Sequence, residues 1–169
     1  MKHIITVLVE NKPGVLSRIV GLIAGRSYNI ETLNVGPTQD PTTSKMTMVV
    51  AGDDHVIEQV INQVGKLVDV MDVIDVTRRR HLNRELILVE VSTARHARSE
   101  VVELATLFDA RVVAVGEDAL TIQMVGDHSS VEDFIRLLKP YEITDISRSG
   151  LIAVARGEHP AGNVPAGGR

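Results

Sequence analysis

The chain has 169 residues, 44% of them hydrophobic and 24% charged, with 22 acids against 18 bases and a net charge of -4. That composition describes one ordinary globular domain or two small ones, and the acidic balance excludes a general nucleic-acid binder, which needs basic excess to displace counterions. Cysteine is absent and aromatics are 2% without tryptophan, which excludes disulfides, thiolate metal sites, cysteine nucleophiles and aromatic stacking platforms for bases. No apolar run is long enough to span a bilayer. The start, MKHIITVLVENKPG, lacks a small-residue cleavage site and reads as a strand. A cytoplasmic protein is expected.

Ile4 to Val9 is β-branched and apolar, a first strand. Asn11-Lys12-Pro13-Gly14 breaks it. Val15, Leu16, Ile19, Val20, Leu22 and Ile23 then recur at helical spacing up to Arg26. Tyr28-Asn29 turns the chain into a second strand, Ile30 to Val35. Gly36 to Ser44, with two prolines, reads as a hairpin loop, and Met46 to Ala51 as a third strand. Asp53 or Asp54 caps a second helix whose apolar face is Val56, Ile57, Val60, Ile61 and Val64. Leu67 to Val76 reads as a fourth strand, its imperfect alternation suggesting a bulge. The order β-α-β-β-α-β is ferredoxin-like, with helices on one face of an antiparallel sheet.

Thr77 to Asn83 breaks the chain and carries Arg78, Arg79 and Arg80. Such a run reads either as a contact for an acidic partner or as a solvated linker. The order then repeats. Leu86 to Val91 is a strand; a helix follows with Val101, Val102, Ala105 and Phe108 on one face, joined by Leu104 and Leu107. Arg111 to Val115 is a strand, Glu117-Asp118 a turn, and Leu120, Ile122 and Met124 alternate with polar residues along another strand. Val131, Phe134, Ile135 and Leu138 mark a helix stopped by Pro140, and Ile143 to Ala155 a last strand bent near Gly150. The fold class is α+β, two ferredoxin-like units over 1–77 and 84–157, joined by a linker over 78–83 and followed by a flexible tail over 158–169. The repeat is of order, not of residues.

No catalytic pattern stands out. His3, His55, His81, His96, His128 and His159 include no pair at i, i+3 or i+4, and all six read as surface residues. Ser17, Ser27, Ser92 and Ser99 lack a nucleophile-elbow context. Gly21 and Gly25 lie within a helix pattern and suggest close packing rather than a phosphate loop. The informative segment is Glu10 to Leu16. Pro13 stiffens the turn, Gly14 lets the backbone approach another group, and the free N–H groups of the helix's first turn, those of Val15 and Leu16 among them, would seat a carboxylate. Asn11 adds an uncharged donor and acceptor. That mixture suits a zwitterionic amino acid; a plain Asn-Pro-Gly helix start is the competing explanation.

Asn-Lys-Pro-Gly-Val-Leu at 11–16 resembles the ligand loop of an ACT domain. Tyr28-Asn29-Ile30-Glu31-Thr32-Leu33-Asn34-Val35-Gly36 resembles the N-I-E-S-L-x-V-G strand of the acetolactate synthase (acetohydroxyacid synthase) small regulatory subunits. Ser44-Lys45-Met46-Thr47-Met48-Val49-Val50 is similar to their S-R-M-T-I-V-V strand, Arg84-Glu85-Leu86 to the R-E-L opening the C-terminal unit, and Ile146-Ser147-Arg148-Ser149-Gly150 through Gly157 to their closing strand. The likeness runs from Lys2 to Gly157. The prolines of the Gly36–Thr43 loop depart from the more charged family pattern, which bears on the contact with the catalytic subunit.

The resemblance implies a non-catalytic subunit that binds and activates the acetolactate synthase catalytic subunit and confers feedback inhibition by a branched-chain amino acid, usually valine. Thiamine diphosphate, Mg2+ and FAD are expected on the catalytic subunit and no cofactor or metal in this chain. It also implies a homodimer through ACT domains, with Asn11, Gly14, Val15 and Leu16 of one copy facing Asn29 and Ile30 of the other around the effector. Two other readings remain open at this stage: a free-standing ACT sensor acting on a different enzyme or on transcription, and a small ferredoxin-like enzyme with a site assembled only by folding.

Overall fold

The computed structural model describes residues 1–94 and 98–156; the expectations for His96, Gly157, His159 and the 158–169 tail lie outside them. The first unit runs β1 (Lys2–Glu10), α1 (Val15–Ala24), β2 (Ile30–Pro37), β3 (Thr43–Ala51), α2 (Asp54–Val64) and β4 (Val70–Asp75). Its four strands lie in the order β2-β3-β1-β4, with β1 antiparallel to both β3 and β4. Strand parity decides what is buried. Ile5, Val7 and Val9 of β1 and Met46, Met48 and Val50 of β3 face Val15, Ile19 and Ile23 of α1 and Ile57, Val60 and Val64 of α2. Fully burying each such side chain is worth roughly 1.5–3 kcal/mol.

The expected irregularity of the fourth strand is real: the β1–β4 register shifts between Leu8 and Val9, which leaves Met71 unpaired. The hairpin loop is shorter than the prolines suggest. Pro37 ends β2, an edge strand where its missing N–H costs no ladder bond. Asp40 then closes the turn, its carboxylate accepting from the Thr42 N–H at 2.9 Å and hydroxyl at 2.7 Å.

The second unit follows the same plan: β5 (His81–Ser92), α3 (Arg98–Leu107), β6 (Arg111–Val115), β7 (Ala119–Gly126), α4 (His128–Leu138), a short 3-10 turn at Lys139–Tyr141, β8 (Ile143–Arg148) and β9 (Ile152–Ala155). The order β6-β7-β5-β8 reproduces that of the first sheet. Ile87, Val89, Val91, Leu120, Ile122 and Phe134 form its core, where Phe134 meets Phe108 with ring centroids 5.2 Å apart. Val102 and Leu107, expected on the core face of α3, are exposed.

Three expectations need correction. The segment 78–83 is a linker only in part, because β5 already begins at His81 and His81–Arg84 pair with β9. The last strand is not one bent strand but two, β8 and β9, separated at Gly150, whose φ of 74° is open to glycine at little cost. The resulting β5–β9 ribbon lies on the outer face of the first sheet, where Leu151 and Ala153 bury Val49 and Val76 against Ile4 and Ile74.

His3 is the third correction: it is 1% exposed, not a surface histidine. It shares its parity with Ile5 and Val7, so strand geometry carries it inside. Its Nδ1 lies 3.1 Å from Asp75 Oδ2 and its Nε2 3.7 Å from Asp54 Oδ1. Burial works to raise the Asp75 carboxyl, but hydrogen bonds from the Thr77 hydroxyl and N–H, with His3, together hold it below the ordinary value. Gly21 also differs from expectation, since a side chain there would meet nothing within 4 Å; only Gly25, close to the Gly21 carbonyl, is tightly placed.

Candidate functional site

The loop between β1 and α1 is built for an exposed helix start. Gly14 takes φ 85° as the residue preceding α1, and no side chain caps the helix. The first turn contains no acidic residue. The Val15 N–H makes a long 3.4 Å turn bond to the Lys12 carbonyl, so it is less open than the sequence suggests. The N–H groups of Leu16 and Ser17 have no partner among the described residues. These two groups lie at the positive end of the helix dipole, where a carboxylate is favoured. Ser17 carries no side-chain signal for this role; only its position in the first turn does.

Asn11 stands beside that turn. Its Nδ2 donates to the Pro41 carbonyl at 3.0 Å and its N–H to the Thr42 carbonyl at 2.7 Å. The hairpin whose prolines depart from the family pattern is therefore what holds Asn11. With its donor engaged, the side chain offers Oδ1, an acceptor suited to an ammonium. Lys12 turns away to Glu10, 2.5 Å from its carboxylate, which with the surrounding charge raises the lysine's pKa. Val15 is buried in the core, while Leu16 is 43% exposed and free to line an apolar pocket.

Asn29 and Ile30 lie elsewhere. Ile30 opens β2 opposite Val50, which pairs with His3, and the exposed Asn29 accepts the Ala51 N–H at 3.3 Å. Asn11 follows Glu10, at the other end of β1. The seven-residue step from His3 to Glu10 spans about 23 Å. One copy of the chain thus brings Asn11, Gly14, Val15 and Leu16 together at one end of the sheet and leaves Asn29 and Ile30 at the opposite end. A two-fold axis beside the open β2 edge would reverse one sheet against the other, setting opposite ends side by side.

The second unit holds a feature that the sequence reading did not single out. Glu85 is 1% exposed and takes a two-pronged contact from Arg148, Nε to Oε1 at 2.8 Å and Nη2 to Oε2 at 2.7 Å. Arg148 Nη1 also donates to Glu132 of α4 at 2.8 Å. These bonds, opposed by partial burial, raise the guanidinium pKa further above its already high ordinary value. The R-E-L and S-R-S-G segments are far apart in sequence, and only the β5–β8 pairing brings them together. Among the described residues, no group of three or more His, Cys, Asp or Glu could hold a metal ion. No described helix is long and apolar enough to cross a membrane.

Comparison with known proteins assigns both units. Residues 5–72 match the acetohydroxyacid synthase (AHAS) small subunit-like ACT domain, and residues 84–157 the family described as small subunit of acetolactate synthase. A probable acetolactate synthase small subunit of Archaeoglobus fulgidus is 46% identical over 93% of this chain and 98% of that protein. The acetolactate synthase small subunit of Haemophilus influenzae is 43% identical over 94% of this chain and 98% of that protein. The crystal structure of the acetolactate synthase small subunit from Thermotoga maritima superposes with a TM-score of 0.84 at 32% identity, covering 94% of this chain and 99% of that one. The chain belongs to the acetolactate synthase small-subunit family, with an ACT domain as its first unit and a second ferredoxin-like unit after it.

Proposed function

We propose that this chain docks on the acetolactate synthase catalytic subunit, activates it, and confers feedback inhibition by binding valine between the ACT domains of two copies. Family membership makes it a regulatory, non-catalytic subunit. Thiamine diphosphate, Mg2+ and FAD then belong to the catalytic partner, and the complex to the cytoplasm. The observation that carries the effector reading is the uncapped first turn of α1, with the Leu16 and Ser17 N–H groups open beside Asn11. The turn would hold the effector carboxylate and Asn11 Oδ1 its ammonium. Asn29 of the second copy would bond the polar end, while Leu16 and the second copy's Ile30 would enclose the side chain.

The same division of residues between the two ends of the sheet explains why inhibition would need a dimer. A ligand touching two copies favours the arrangement that brings them together, and feedback needs only about 1–3 kcal/mol of such preference. A pocket of this kind separates valine from leucine modestly, since one methylene is worth roughly 1–3 kcal/mol.

The test is calorimetric titration with L-valine, D-valine serving as control, beside inhibition assays on the reconstituted complex. Asn11→Ala should weaken L-valine binding about tenfold or more, a loss of about 1.4 kcal/mol. Gly14→Asp should abolish binding by putting a carboxylate at the anion seat. Both variants should still activate the catalytic subunit. Full valine sensitivity in both variants would reject the site.

A further inference from the structure

The Ile146–Gly150 segment takes no part in the effector site, yet it is the point at which the second unit touches the effector strand. A side chain at Gly150 would lie in ordinary contact, 3.4 Å from the Leu33 carbonyl oxygen and 3.6 Å from Thr32 Cβ, so the turn lies against β2, and it is the φ of 74° that calls for glycine there. Asn34 of β2 donates from Nδ2 to the Ser149 carbonyl at 3.3 Å. Behind the turn, Ser149 is fixed to β5: its N–H donates to the Leu86 carbonyl at 2.9 Å, and its hydroxyl accepts the Leu86 N–H at 3.0 Å. Arg148 locks the turn to buried Glu85 and to α4 through Glu132. Leu151, the next residue, is anchored in the apolar cluster with Val49 and Val76.

The two sides of this contact differ in freedom. The turn is held by strands and a helix, whereas β2 of a single copy pairs with β3 alone among the described strands, its other side being the edge that the proposed dimer would set against the second copy. Its register with β3 shifts between Ile30 and Thr32, which leaves Glu31 as the extra residue of a bulge. A bulge interrupts the ladder locally, so this end of β2 is tied less regularly to β3 than the rest of the strand. Beside the turn, the units stand apart across a crevice of about 410 Å³, with Lys2 and Glu31 on one wall and His128 and Glu132 on the other.

We propose that the Ser149–Gly150 turn is a relay: a shift of β2 on effector binding at Asn29 and Ile30 is passed through Leu33 and Asn34 to the turn, and from it to β5 and α4. The relay rests on the effector reading above. It gives the second unit a role in regulation without placing any ligand in it. Coupling of this type requires an element that both sites bias, and β2 touches both, carrying Ile30 at its start and meeting the turn at Leu33 and Asn34.

Peptide-resolved hydrogen–deuterium exchange on the full chain, with and without saturating L-valine and with D-valine as blank, tests it. In the unaltered chain, L-valine should slow exchange over residues 30–36 and also over 146–152, about fivefold, the low end of allosteric coupling. In Asn34→Ala, which leaves the turn's backbone intact, the effect over 30–36 should persist and that over 146–152 should fall by more than half. Gly150→Ala, which strains the turn's positive φ of 74°, should do the same. Protection confined to 30–36 in the unaltered chain, or undiminished at 146–152 in both variants, would overturn the relay while leaving the effector site standing. Protection of neither segment would overturn the effector site and the relay with it.

Discussion

The two units share a topology down to strand order, and they part company at the start of their first helices. In the first, Asn11 holds the β2–β3 hairpin by one amide bond to Pro41, and the α1 turn beside it stays uncapped. In the second, Arg98 opens α3 and spends its guanidinium on the equivalent β6–β7 hairpin, donating to the Gly116 carbonyl at 2.9 Å and also to that of Glu117. Both units tie helix to hairpin with a side-chain donor. The amide keeps its carbonyl oxygen as an acceptor, whereas the guanidinium brings donors and no acceptor. One plan thus carries different side-chain chemistry beside the two helix starts. The outer faces differ too: the β5–β9 ribbon covers the first sheet, while Leu86, Leu88 and Val125 of the second are exposed.

If the units are nonetheless one cooperative body, damage to either should be felt in both. Phe134→Ala empties the centre of the second core and should cost about 3–5 kcal/mol. Urea unfolding followed by hydrogen exchange should show β1 and β7 losing protection at one lowered midpoint. Loss of β7 alone would make the units independent. The paired caps offer a smaller and more symmetrical comparison. Asp53 accepts the Val56 N–H at 2.9 Å and Asp127 the Ser130 N–H at 2.8 Å, the same device at the second helix of each unit. Asp53→Ala and Asp127→Ala should each cost about 1 kcal/mol, read as equal falls in urea midpoint.

Acid gives the smallest effect. Asp127 is held below the ordinary carboxyl value of 3.8 by the Ser130 N–H and hydroxyl and by Ser129, and Asp75 by the bonds that outweigh its burial. A carboxyl with a lowered folded pKa binds protons less readily when folded. Its stabilisation is complete above the unfolded value and fades as pH falls through the folded one. The urea midpoint should therefore decline below about pH 4. Asp75→Asn and Asp127→Asn, one in each unit, should each flatten that decline; an unchanged slope in both would remove these carboxyls from the account.

The order of elements was legible because apolar residues recur at helical spacing in each helix, though Val102 and Leu107 of α3 stand exposed, and because Leu120, Ile122 and Met124 alternate with polar residues. The cap at Asp53 stands where a carboxylate precedes an apolar helical run. The turn between β1 and α1 was readable from Pro13 and Gly14, since a stiff turn and a positive φ are local demands. Four features were not readable, each because it depends on residues distant in sequence. His81–Arg84 is polar and becomes strand only through its pairing with 152–155. Glu85 looks like a surface acid until Arg148, 63 residues on, meets it. His3 reads as a surface histidine until strand parity turns it inward beside Asp75. The two-ended layout of Asn11 and Asn29 needs the β1–β3–β2 registers, which no spacing along the chain conveys.

The long strand β5 has a consequence for how such chains can be recombined. Sequence likeness divides the molecule into segments at 5–72 and 84–157, inviting a crossover between them. A graft made there would keep each sheet and core, yet it would mismatch the seam. Ile4, Val49, Ile74 and Val76 come from one parent, and Leu151 and Ala153, which cover them, from the other. A workable chimera must carry residues 81–84 and 151–155 together with the outer face they seal, so the unit of exchange is defined by a shared strand rather than by the boundary between two likenesses.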